Sequence, residues 1–128
     1  MTYYMSTTLK TPFDEAIAQV EAALKAEGFG VITRIDIRQT FKAKIDVDFR
    51  PYVILGACNP KLAHEALQLE VKVGTMLPCN VVVQETADGR VEVAAIDPVA
   101  SMAAIDNPRL KEAAGVVRDK LKAVIERL

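Results

Sequence analysis

Apolar residues recur along this chain in two rhythms. Steps of two put side chains on alternate faces of a strand, and steps of three and four line one face of a helix. Residues 3–8 are rich in aromatic and β-branched types and read as a strand. Phe13, Ile17, Val20 and Leu24 then fall at helical spacing. Thr11 is expected to cap this helix, with Pro12 at the first helical position, where its missing N–H is no loss. Asp14 and Glu15 suit the positive helix end, and Gly28 is the expected stop. Over residues 31–37 the step returns to two, with Val31, Thr33, Ile35 and Ile37 on one face and Arg34, Asp36 and Arg38 on the other.

The next stretch fits both rhythms. Phe41, Ala43, Ile45, Val47 and Phe49 alternate with charged residues, yet Ile37, Phe41 and Ile45 lie four apart. Asp36 followed three residues later by Gln39 suits a capping box, so a short helix over 37–45 is preferred, with 47–50 extended. Residues 52–57 form a strand with almost no polar interruption, as expected of a strand covered on both faces or on one face plus a dimer contact. A helix starts at Pro60, carries Leu62, Ala66 and Leu69 inward with Ala63 and Leu67 beside them, and is expected to run to Gly74. Strands over 80–86 and 90–96 flank Ala87-Asp88-Gly89, a hairpin signal. A short helix or turn over 98–105 precedes a last helix over 108–128, with Leu110, Ala114, Val117, Leu121, Val124 and Leu128 on one stripe. Four of the six prolines follow a capping residue, as Thr11-Pro12, Asn59-Pro60, Asp97-Pro98 and Asn107-Pro108.

These elements predict one α+β domain over residues 1–128. A mostly antiparallel sheet packs with helices as a two-layer sandwich, in the order β-α-β-(α)-β-α-β-β-α, with the long terminal helices on one face. The apolar runs 52–55 and 81–83 ask for cover on both faces of their strands. The short helices near 37–45 and 60–72 are not expected to supply it fully, and twofold pairing closes such a face most simply, so a homodimer is expected.

Composition narrows the classes. Lys+Arg is 16 against Asp+Glu 17, a formal net charge of −1, and there is no tryptophan. No long-range field gathers nucleic acid, and no aromatic-basic interleaving stacks on bases. The first ten residues lack the basic start and apolar run of a signal peptide, and no apolar stretch is long enough to span a membrane. A cytoplasmic protein with reduced thiols is the expectation, without nucleic-acid or membrane partners and without a cofactor.

Candidate chemistry gathers in one β-α-β passage. Cys58 ends the first strand and Cys79 starts the next, and each is followed by asparagine, Asn59 and Asn80. Cys58 precedes a helix start, whose partial positive charge stabilises thiolate. It is equally a small apolar residue of the kind that fills a strand end. The two thiols meet only if their strands are antiparallel neighbours, which the sequence leaves open. A spacing of twenty residues between them is no metal signature. His64, one turn into the helix, and Met76 are weak additions to a soft-metal set, and no metal site is expected. Tyr52 is placed to bring its hydroxyl to a pocket edge or to pack in the core. GxSxG, P-loop, GxGxxG and HExxH motifs are missing, so no catalytic residue is identified.

The segments GFGVITRIDI, RPYVILGACNPKLAHEAL, GTMLPCNVVV and AAIDP, in this order and spacing, resemble the signature segments of the bacterial and archaeal domain-of-unknown-function family 302. The resemblance implies a compact α+β domain, often dimeric, with no established activity. It makes Cys58 and Cys79 the motif cysteines, Asn59 and Pro60 the helix-start pair, and 37–45 helical. It does not single out His64. Two functions follow as expectations: a homodimeric, non-enzymatic module binding a small molecule or partner, with Cys58, Asn59, Cys79, Asn80 and Tyr52 as candidate ligand contacts; or a thiol-redox or soft-metal protein using Cys58 and Cys79.

Overall fold

A computed structural model describes residues 2–128. The elements run β1 (Tyr4–Leu9), α1 (Phe13–Ala26), β2 (Gly30–Asp36), α2 (Ile37–Ile45), β3 (Tyr52–Cys58), α3 (Pro60–Leu69), a 3₁₀ segment (Val71–Met76), β4 (Cys79–Glu85), β5 (Val91–Ile96), α4 (Pro98–Ser101) and α5 (Pro108–Arg127). The strands form a sheet in the order β1-β5-β4-β3-β2, with every neighbouring pair antiparallel. The chain is α+β, as its two rhythms predict.

Register explains the core. One row across the sheet is Val53, Val83, Val93 and Thr7, and the next is Leu55, Val81, Ala95 and Met5. The valines, Leu55 and Ala95 are fully buried beneath Ala16, Ile17, Val20 and Leu24 of α1 and Leu121, Val124 and Ile125 of α5. Each large side chain so buried contributes about 1.5–3 kcal/mol. The two long helices therefore share one face of the sheet. Arg127, at the end of α5, donates to Glu27, just past α1, at 3.2 and 3.3 Å.

A second, smaller apolar cluster lies beyond the sheet. Ala66 of α3, Val73 of the 3₁₀ segment, Met102, and Leu110 and Ala114 of α5 form it. Here α3 leans on α5 and the 3₁₀ segment. Asn107 fastens the two helices, since its Nδ2 donates to the Leu69 carbonyl at 3.1 Å while its Oδ1 caps the start of α5.

The opposite face of the sheet is left open. Its central row is Ile35, Ile54, Val82, Ala94 and Ser6. Ile54, Val82 and Ala94 are half-buried and Ile35 is 46% exposed. Helix α2 touches β2 and β3 but buries none of its own residues. Its Phe41 stacks edge-on against Phe49, which packs on Tyr52, with the Arg50 guanidinium 4.5 Å from the Phe49 ring centre.

Local chemistry sets the boundaries. Asp36 accepts from the Gln39 amide at 2.9 Å, so the capping pattern decides for a helix at Ile37–Ile45. Asn59, Asp97 and Asn107 cap the three helices that begin at prolines 60, 98 and 108. Thr11 does not cap α1. Pro12 is itself the boundary residue, with φ −55° and ψ 150°, and its carbonyl accepts from Ala16 at 2.8 Å. The polyproline-like ψ moves the helix start one residue on. At its other end α1 closes on Gly28, with φ +87°, as Phe29 donates to Leu24 and Gly28 to Lys25.

Two further expectations fail for identifiable reasons. Helix α3 stops at Leu69, short of Gly74, because Glu70 is extended and its carboxylate accepts from the Lys72 amide, starting the 3₁₀ segment instead. In β2 the alternation breaks at Ile32, where the register with β3 shifts between Val31 and Thr33. Val31 thus pairs with Ala57 and packs on the core, while Thr33 and Ile35 join Gly56 and Ile54 on the open face.

Candidate apolar cavity at the end of the sheet

Where the two apolar clusters meet, they leave a cavity of about 370 Å³. The ends of β3 and β4 supply Ala57, Cys58 and Cys79, α3 supplies Leu62, Ala63 and Leu67, and α5 supplies Leu110, Ala113 and Val117. None of the lining residues carries a charge. The space exists because small side chains face it. Ala63, Ala66, Ala113 and Ala114 stand where larger residues would join the clusters.

Antiparallel pairing of β3 with β4 settles the placement of the cysteines. Ala57 is opposite Cys79, so the exit of β3 lies beside the entry of β4. Cys79 shares the core face with Ala57, whereas Cys58, one residue on, leaves the pleat on the other side. Both line the cavity, and both thiols are free. Burial, with the charge of nearby Cys58 adding to it, pushes the Cys79 thiol up to about 11. At neutral pH Cys79 is a protonated, apolar-like group.

Asn59 stands at the cavity edge and caps α3. Its Oδ1 accepts from the Leu62 amide at 3.2 Å. Gly28 makes room for it, since a Cβ there would lie 3.1 Å from Nδ2.

A family model described as "Domain of unknown function DUF302" matches residues 5–128. This chain belongs to the DUF302 family. A crystal structure of an uncharacterized conserved DUF302 protein from Bacillus stearothermophilus is similar to it, with 31% identity, 99% of this chain and 98% of that chain covered, and a TM-score of 0.92. No curated protein matches.

The DUF302 fold divides the candidate residues. Cys58, Asn59 and Cys79 come together at the cavity. Tyr52 and Asn80 do not. They lie on the open face of the sheet, along a shallow groove shared with Tyr4, Val82, Gln84 and Glu92. His64 is exposed on the outer side of α3 and does not line the cavity. Among the described residues, no three His, Cys, Asp or Glu side chains are placed to hold a metal ion. The α5 contribution, Leu110, Ala113, Ala114 and Val117, and Met102 have no local sequence signal as site residues. They read as an ordinary helix stripe and turn, and only the alanines among larger neighbours hint at space. Among the described residues, no helix is long and apolar enough to cross a membrane.

Proposed function

We propose that this DUF302 protein is a cytoplasmic, homodimeric, non-enzymatic module that binds a small apolar molecule in the cavity at the sheet end. The observation that carries this reading is the uncharged cavity between the two clusters, whose volume of about 370 Å³ lies within the usual range of small-molecule sites. The dimer rests on the open face. Its row Ile35, Ile54, Val82 and Ala94, with the unburied Ile37, Phe41 and Ile45 of α2 nearby, is an apolar surface that a second copy covers by twofold pairing. The face carries few charges to oppose its own copy, Glu92 being the acidic residue on the neighbouring row.

Native mass spectrometry of protein taken directly from its source tests the binding. The expected result is a retained small molecule that is lost in Ala113→Phe, whose ring would occupy the cavity. Protein that retains nothing, and that gains no mass with millimolar toluene, removes the reading.

The thiol-redox reading has one supporting observation, that Cys58 and Cys79 open on the same cavity from neighbouring strands. Against it stand the protonated Cys79 and the opposite pleat directions of the pair, which disfavour a disulfide without backbone movement. Alkylation rates of Cys58→Ser and Cys79→Ser against pH separate the readings. Fast labelling of Cys58 near neutral pH, with Cys79 silent until the protein unfolds, fits a single accessible thiol. Rapid labelling of both revives the redox pair.

A further inference from the structure

We propose that the cavity selects an uncharged amphiphile, an aliphatic or small aromatic body with one hydrogen-bond acceptor such as a ketone, ester or amide carbonyl, held by the side-chain amide of Asn59. The proposal rests on the reading of the cavity as a ligand site and specifies what that site takes. A charged ligand would lose its water against a wall that offers no counter-charge. A pure hydrocarbon would leave the one strong polar group of the lining without a partner.

That group has a fixed direction. The Leu62 amide can only donate, so the atom of Asn59 it meets must be the oxygen, which turns Nδ2 and its two N–H donors the other way. Among the described residues Nδ2 has no protein partner, and no buried side-chain nitrogen or oxygen is left unsatisfied, so Nδ2 stays open to solvent at the cavity edge, where Asn59 lies. The glycine at position 28 lets Nδ2 sit close against it, since a Cβ there would lie 3.1 Å away. The other hydrogen-bonding side chains of the lining are the two thiols, which are weak hydrogen-bonding groups. One end of the cavity therefore donates and the rest is apolar: Leu62, Leu67, Leu77, Leu110 and Val117.

Calorimetric titration of the whole protein with octan-2-one, octanoate and toluene at pH 8 tests this selection. Octan-2-one is expected to bind at least ten-fold more tightly than the ionised octanoate. Asn59→Asp retains a good helix cap but has no N–H to offer. It is expected to lower the affinity for octan-2-one roughly three- to ten-fold, as for loss of one hydrogen bond, and to leave toluene unchanged, so that toluene reports an intact cavity in the same variant. Equal binding of ketone and carboxylate, or an unaltered ketone-to-toluene ratio in Asn59→Asp, overturns the selection while the cavity remains a binding site. Failure of all three probes to bind the unmodified protein overturns the binding reading itself, and this inference with it.

Discussion

Cys79 shows how one residue's surroundings set a pH dependence. Its ordinary value is 9.0, and the fold pushes it up to about 11. Between these values the unfolded chain gives up the proton and the folded chain keeps it. The stabilisation is thus complete below pH 9 and is lost as pH rises towards 11, at up to about 1.4 kcal/mol per pH unit. Urea midpoints at pH 8, 9.5 and 10.5 should fall more steeply for the native sequence than for Cys79→Ala. Parallel slopes would show that the thiol is not desolvated. At Asn59, removing the cap in Asn59→Ala should cost about 1 kcal/mol. An unchanged urea midpoint would mean that another group satisfies the Leu62 amide. Both residues were visible in the sequence as a cysteine and a cap. Their shared cavity was not, because it depends on residues far along the chain in α5, Leu110 to Val117.

At the scale of elements, pairing of β2 with β3 depends on Gly56. A Cβ there would collide with Thr33 and stand 2.7 Å from Pro78. Gly56→Ala is expected to destabilise by about 1–3 kcal/mol through overpacking. Adding Thr33→Ala should recover part of the loss, because the Thr33 hydroxyl is then gone while Pro78 stays. Additive losses in a double-mutant cycle of thermal or urea stability would place the strain elsewhere. Elements announced by side-chain chemistry were legible. The Asp36, Asn59, Asp97 and Asn107 caps all formed, and Asp88-Gly89 turned the β4–β5 hairpin, with Gly89 at φ +80°. Errors came where backbone geometry outweighed residue type. The Pro12 ψ displaced the start of α1, Glu70 opened a new segment, and the extra residue at Ile32 exchanged the faces of β2.

For the whole molecule, the periodicities implied a sandwich with both long helices on one face, and the fold has that arrangement. The short helices do not form a second cover. Helix α3 instead builds its own cluster with α5, and that division is what opens the cavity. No pattern within a single segment encodes a gap between two clusters. The open face yields a direct expectation for assembly. Ile54→Lys puts a charge in the middle of the central row without touching the core side of β3. Sedimentation equilibrium at micromolar concentration should give a dimer for the native sequence and a species near 14.0 kDa for the variant. A native chain that stays at the monomer mass up to the highest concentration rules out pairing through this face.

The irregularity in β2 has a consequence for how copies of the chain avoid one another. The sheet ends in two edge strands, β1 and β2, and a flat edge is a template on which foreign strands grow into aggregates. The shifted register at Val31–Thr33 interrupts the ladder of β2 and bends that edge out of line. In the proposed dimer, association runs through the faces of the sheet, where pairing is closed and finite, and away from its rim, where it would be open-ended. Excising Ile32 should restore an unbroken edge, and fibrillar or turbid material on mild heating is the expected sign that this guard has been removed.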